Sequence, residues 1–389
     1  MHVLIIPSWY PDYSKDINGV FFREQALALR KNGCQVGVIY PKLRSLRNWR
    51  TVLDGGGIVY ENDDGVETYR SYGVQWFISM PSGFKRLWVY HGLKLFKKYI
   101  KAHGMPDIVH VHSMLYAGLL ACELKLLYGV PFVITEHSTE YARRLVNPVD
   151  LLLARNIARN AAANFAVSTG FSSLLDELVP CSHPWRVLPN VVSQIFLDYP
   201  LKQKASRQSF NFINIAMMSD KKKQKNILIA FAKVFGNSEN ITLTIGGDGP
   251  EMPQLKELSR VLGVSDRVCL PGSLSRQQVL EFMADSDAFV LSSQYETFGV
   301  VVIEALALGL PVIATRCGGP ESIVRDEDGL LIPIEDISSL AIAMKTIYDN
   351  RLKYNAEEIR TACSDRYSEK SVAEQLKTIY AEIVGEKCN

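Results

Sequence analysis

The sequence predicts an α/β protein built from two doubly wound, parallel-sheet domains. Three observations carry this. Short β-branched runs alternate with longer segments of helical period from end to end, the alternation restarts strand-first in the second half, and 389 residues are too many for one ordinary core. Two domains of this size each bury roughly 70 per cent of their unfolded surface. Such domains are expected to face each other across a cleft, with ligands met at the carboxyl ends of the strands.

In the first half the strands read HVLIIP, CQVGVIYP, DIVHVHS, PFVITEHS and ANFAVS, with helices such as FFREQALALRKNG between them. In the second half they read FINIAMM, ITLTIGG, RVCLPG, AFVLSS and PVIAT. A stretch without helical period, carrying Pro189 and Pro200, separates the two series and ends in a polar basic run. The expected limits are therefore 1–197 for the first domain, 198–209 for a linker and 210–368 for the second. A final amphipathic segment, 369–389, could pack on either domain and is expected to return to the first.

With 43 basic and 41 acidic residues the formal charge is +2, so no large field draws the molecule to nucleic acid. Seven scattered cysteines, Cys34, Cys122, Cys181, Cys269, Cys317, Cys363 and Cys388, show no C-x-x-C spacing and point to a reducing, cytoplasmic setting. The opening MHVLIIPSWYPDY lacks a basic n-region and reads as a first strand rather than a signal peptide. No apolar run approaches the ~18 residues of a membrane-spanning helix. The expectation is a soluble protein, or one peripheral to the inner face of the cell membrane.

The loops after the strands hold the candidate ligand groups. After AFVLSS comes ETFGVVVIE, in which Glu296 and Glu304 are separated by seven residues. Helical period resumes at Val300, which puts Gly299 at a helix start where unpaired N–H groups and the dipole favour an anion. A carboxylate 4 Å from a phosphate is repelled by roughly 4 kcal/mol at an effective dielectric of 20, so the two glutamates are not phosphate ligands. They suit neutral hydroxyls on either side of a phosphate. A sugar nucleotide, with phosphates in the middle and hydroxyls at both ends, has that layout. Taken singly, each glutamate also fits an ordinary solvated position.

Lys221, Lys222, Lys223 and Lys225 follow FINIAMM, where one lysine suits a diphosphate and at least two are expected to be plain solvated charges. Gly247, in GGDGP after ITLTI, serves either a close backbone approach or a tight turn. In the first half, Asn18-Gly19 precedes a helix and His137 stands just past a strand end. A lone histidine is more often structural, but its place at the expected cleft favours a functional reading.

Together these stretches resemble the retaining glycosyltransferases of family 4, which have the GT-B fold of two Rossmann-like domains. The resemblance covers nearly the whole chain. It rests on the E-x7-E pattern within SSQYETFGVVVIEALALGLPVIATRCGGPESI, with TEHS, VLPNVV, GGDGPE and DRVCLPG in family order. It implies that Glu296 bonds the donor sugar's hydroxyls and that Thr297, Phe298, Gly299 and Val300 offer backbone amides to sugar and diphosphate. Glu304 would grip the ribose, Lys222 or Lys225 would neutralise the diphosphate, and the backbone at Val268 and Cys269 would meet the base. Gly19 would shape the acceptor and phosphate side, and His137 would touch the donor sugar. The chemistry would thus fall to Glu296, Lys222 and His137.

One departure concerns the arginine that family members place after the first strand of the second domain, where Met217 or Met218 stands here. The implied mechanism is front-face transfer with retention, needing no cofactor and no metal, and no Asp-x-Asp motif lies near an expected strand end. The implied donor is a nucleotide-diphosphate hexose, UDP-linked rather than GDP-linked, and the implied acceptor a glycan or lipid-linked glycan of surface polysaccharide. A sugar-nucleotide epimerase of the same fold, or a non-catalytic sugar-nucleotide binder, is the alternative.

For the acceptor side, the stretch 84–104, FKRLWVYHGLKLFKKYIKAHG, mixes aromatic and basic residues, and KLRSLRNWR at 42–50 adds more beside Trp49. Two readings stay open for the longer stretch: a basic helix lying on an anionic membrane, or a helix covering the sheet with its lysines snorkelling outward.

Overall fold

A computed structural model describes residues 1–12, 19–45, 57–75, 81–201 and 209–385. Asn18, Trp49, Cys388 and the linker positions 202–208 lie outside the described residues. The chain divides into two compact units, one of Met1–Val167, Phe171–Val191 and Val372–Asn389, the other of Ser168–Gly170 and Val192–Ser371. The helix Gln194–Asp198, placed by sequence at the end of the first domain and the start of the linker, belongs to the second unit. The reason is packing: Phe196 is buried there under the Arg276 guanidinium, 4.7 Å from its ring centre.

The first unit is built on strands β1 (His2–Pro7), β2 (Gln35–Ser45), β3 (Gly57–Asp63), β4 (Val66–Gln75), β5 (Ile108–His112), β6 (Phe132–Glu136), β7 (Ala163–Ala166) and β8 (Arg186–Val187). They form one sheet in the order β3-β4-β2-β1-β5-β6-β7-β8. The central strands β1, β5 and β6 are buried at every position, as strands covered on both faces must be, and β5 and β6 bury His110, His112, Thr135 and Glu136 among their apolar residues. Sequence reading missed β3 and β4. They form an antiparallel hairpin whose turn, Asp64-Gly65 with φ of 51° and 88°, has the left-handed geometry that Asp-Gly favours. Lying at the sheet edge, β3 is mostly exposed and lacks the apolar run that marks the others.

The helix Pro81–His103 buries Trp88, Leu95, Phe96 and Tyr99 in this unit, and the Tyr99 hydroxyl is 2.6 Å from His2 Nε2. Trp88, Phe96 and Tyr99 therefore face inward, and the side left to solvent carries Arg86, Tyr90, Lys94, Lys97, Lys98 and Lys101. The C-terminal helix Glu369–Gly385 contributes Val372, Ala373, Leu376, Ile379 and Tyr380 to the first unit's core.

The second unit holds β9 (Phe210–Ile215), β10 (Ile241–Gly246), β11 (Val268–Cys269), β12 (Ala288–Leu291), β13 (Val312–Thr315) and β14 (Gly329–Ile332). These form an all-parallel sheet in the order β11-β10-β9-β12-β13-β14. That is the 3-2-1-4-5-6 order of a doubly wound domain, with its switch point between β9 and β12. No described helix is long and apolar enough to cross a membrane.

Candidate active site

At that switch point two loops are stitched together. The Ser292 hydroxyl lies 2.8 Å and 3.0 Å from the carbonyls of Lys222 and Lys223, and Gln294 N–H donates to Lys221 O at 2.8 Å. One loop leads into the helix Gln224–Phe235 and the other into Val300–Ala307, so two helix starts are held beside each other. Lys222 Nζ is ion-paired with Glu296 Oε1, and Ser293 Oγ donates to the same oxygen at 2.7 Å. Sequence reading placed both residues at this crevice. Their direct pairing was not anticipated.

The four lysines separate as the geometry demands. Lys223 adopts a left-handed backbone, φ 50°, and spends its buried ammonium on Asp220 at 2.8 Å and Glu335 at 3.4 Å. Lys225 is exposed, 3.8 Å from Asp220. Lys222 turns to the E-x7-E loop. Met218 is fully buried, whereas Met217 is 66% exposed, so position 217 is where a diphosphate arginine could stand without entering the core.

The loop Glu296 to Gly299 is fixed from behind. Glu296 N–H donates to Cys317 O at 3.1 Å, Gly319 N–H to Glu296 O at 2.8 Å, and Ser168 Oγ to Thr297 O at 2.7 Å. Phe298 is buried against Tyr367, 5.8 Å between ring centres. Gly299, φ 105°, caps the helix Val300–Ala307 with no side-chain cap, and Val302 N–H donates back to Gly299 O at 2.9 Å.

Glu304 is 2% exposed and ion-paired with Arg276, the first residue of the helix Arg276–Ala284. Burial raises the Glu304 carboxyl above its ordinary range even though Arg276 pulls it down, so desolvation outweighs the pair. Sequence reading missed Arg276, which stands 28 positions before Glu304 on another helix. Gly247, φ 129°, answers to the backbone: a Cβ there would stand 2.0 Å from Ala216 O. Its neighbours are tied down too, with Met218 N–H donating to Asp248 O at 2.9 Å. Val268 and Cys269 form the edge strand β11, and Cys269 is exposed.

Gly19 and His137 lie in the first unit and share an aromatic cluster. Gly19, φ 72°, heads the helix Val20–Lys31, and the Phe22 ring lies 4.9 Å from both His112 and His137. His137 Nε2 is 3.0 Å from His112 Nδ1, His112 stacks on His110 at 4.3 Å, and His110 reaches the Tyr380 hydroxyl at 2.6 Å. Alternation in a strand is the signal for the HVH pair, since residues two apart point the same way. Burial lowers His110 to about 3 and holds His112 and His137 well below the ordinary histidine range. All three are neutral at pH 7. His137 can therefore hydrogen-bond a sugar but cannot neutralise a diphosphate.

That burial has a consequence for stability. Each folded pKa lies below the unfolded value of about 6.5, so the unfolded chain binds more protons and the stabilisation, full above pH 6.5, is lost as pH falls. Each histidine is expected to cost about 1 kcal/mol per pH unit below that point. Urea midpoints between pH 5 and 8 should stay level above about 7 and fall below it. A flat profile contradicts the buried-neutral assignment.

Residues 19–194 match the family model described as Glycosyltransferase Family 4, and residues 201–365 match Glycosyl transferases group 1. The N-acetyl-alpha-D-glucosaminyl L-malate synthase of Bacillus anthracis is 28% identical over 73% of this chain and 76% of its own length. The glycosyltransferase TuaC of Bacillus subtilis, named for teichuronic acid biosynthesis, is 25% identical over 92% of this chain and 91% of its own. A crystal structure of Anabaena HepE in complex with UDP shares the fold with a TM-score of 0.74 at 18% identity, covering 98% of this chain and all of that one. With one family model on each half, the chain belongs to the GT-B glycosyltransferases of family 4.

Proposed function

We propose that the chain transfers a hexose from a nucleotide-diphosphate sugar, UDP-linked in preference to GDP-linked, to a glycan or lipid-linked acceptor of a surface polysaccharide. The observation that carries this is Lys222 paired with Glu296 beside two helix starts at the β9/β12 switch point. Lys222 and the helix starts would hold the diphosphate, while Glu296 turns from lysine to sugar hydroxyls. Transfer retains configuration. The acceptor oxygen bonds the anomeric carbon on the face that the diphosphate leaves, the carbon–oxygen bond to the diphosphate breaks, and a phosphate oxygen takes the acceptor's proton. Positive charge at the leaving group comes from protein groups, so the reading needs neither metal nor cofactor.

Support for UDP and for a polymer product comes from the UDP in the HepE structure and from the name of TuaC. The exposed face of Arg86, Lys94, Lys97, Lys98 and Lys101 adds an electrostatic route to anionic lipid, worth about 1 kcal/mol per basic residue near the surface. With Trp88, Phe96 and Tyr99 in the core, that route does not depend on inserted aromatic rings.

The test has two stages. A thermal-shift panel of UDP, GDP and their hexose conjugates should show stabilisation by UDP compounds, about 2.7 kcal/mol at a hundredfold excess over Kd. The stabilising donor is then offered with a lipid-linked acceptor on vesicles, where transfer should be faster with anionic lipid. Donor turnover at the same rate without acceptor would favour the epimerase alternative, and no response to any nucleotide would contradict the proposal.

A further inference from the structure

The first unit has its own switch point, between β1 and β5, and a pocket of about 260 Å³ opens there at the carboxyl ends of β1, β5 and β6. This is below the roughly 300–1,000 Å³ of pockets for drug-sized ligands and is of a size for a single ring. Trp9, Tyr116 and Tyr141 supply aromatic surface, and Glu136, Glu140 and Asp150 supply carboxylates. No lysine, arginine or histidine is among its described lining residues.

Two details say what could fill it. Tyr141 is 1% exposed, and its buried hydroxyl has no hydrogen-bond partner, an arrangement that is costly unless a ligand or water completes it. The start of the helix Met114–Tyr128 is occupied from within: Met114 N–H donates to Glu136 Oε2 at 2.9 Å. Glu136 Oε1 accepts from the N–H groups of His137 and Ser138, each at 2.8 Å. Lys85, the cation that meets Asp150, is committed to that carboxylate.

We infer that this pocket binds the terminal ring of the acceptor and selects a ring without negative charge, a neutral hexose or an amino sugar in place of a uronic acid or a phosphorylated sugar. The inference rests on the glycosyltransferase reading above. Aromatic faces cover the apolar side of a pyranose, Tyr141 Oη and the Glu140 carboxylate bond its hydroxyls, and any lipid-linked phosphate lies outside the pocket. An anionic ring would enter among carboxylates with no lining cation to meet it.

The test titrates the full chain, saturated with UDP, with methyl glucoside, methyl glucosaminide and methyl glucuronide, each read by calorimetry. The neutral or amino glycoside should bind at least tenfold more tightly than the glucuronide. Tyr141→Phe, which removes one oxygen and keeps the ring, should weaken the neutral glycoside about tenfold while UDP still binds. Glu140→Gln should narrow the gap to the glucuronide. Equal binding of all three glycosides, binding of none, or an unchanged Tyr141→Phe overturns the inference when UDP binds normally. Wild-type chain that fails to bind UDP overturns instead the reading on which it rests.

Discussion

Glu296→Ala is expected to lower kcat by about 10²- to 10³-fold while nucleotide affinity changes little, an effect of the size seen when one preorganised transition-state contact is removed. Glu296 is held by Lys222 and Ser293 at one carboxylate oxygen, in a loop bolted to Cys317 and Gly319. The loop backbone is pinned while the carboxylate is free to exchange Lys222 for a sugar hydroxyl, so the contact is preorganised and its loss is expected to be large. On the proposed reading its contact is with the sugar, where charge develops, and not with the base or ribose. Steady-state kinetics at saturating acceptor check this. A fall in kcat/KM that comes entirely from KM would place Glu296 in ground-state binding.

Lys222→Ala should cost at least as much, about 10³-fold in kcat, because Met217 or Met218 stands where relatives place an arginine that would share the diphosphate charge. Lys223 cannot take over, since its ammonium is committed to Asp220 and Glu335. The substitution also leaves Glu296 without its cationic partner, so a melting curve must accompany the kinetics. Position 217 offers the complementary experiment. Met217 is exposed where Met218 is core, so Met217→Arg in the Lys222→Ala background should restore part of the lost turnover. Activity within a few-fold of wild type in Lys222→Ala alone would show that the helix starts suffice.

Much of this was legible in the chain because buried parallel strands announce themselves. HVLIIP, FINIAMM and AFVLSS are apolar on both faces, and Gly299 before VVVIE marks a helix start without ambiguity. What escaped was whatever depends on contacts distant in sequence or on half-exposed edges. The hairpin of β3 and β4 carries alternating polar residues, and its one cue was Asp64-Gly65. Arg276 announces nothing locally, since its role exists only because the helix after β11 brings it to Glu304. The histidine row needs β5 beside β6, plus Tyr380 from the C-terminal helix, 270 residues from His110. The aromatic residues of the helix Pro81–His103 left two readings open, because the same amphipathic spacing serves a membrane surface and a sheet face.

Calorimetric titration with UDP and with the UDP-sugar tests whether Glu296 and Glu304 clamp opposite ends of one donor. Glu304→Ala should weaken both ligands by a similar factor, about tenfold or more, because the ribose is common to them. Glu296→Ala should leave UDP affinity within about threefold of wild type and reduce only the extra affinity that the sugar brings. If Glu296→Ala weakens UDP as much as Glu304→Ala does, or if neither changes either ligand, the two glutamates do not hold the two ends of a sugar nucleotide.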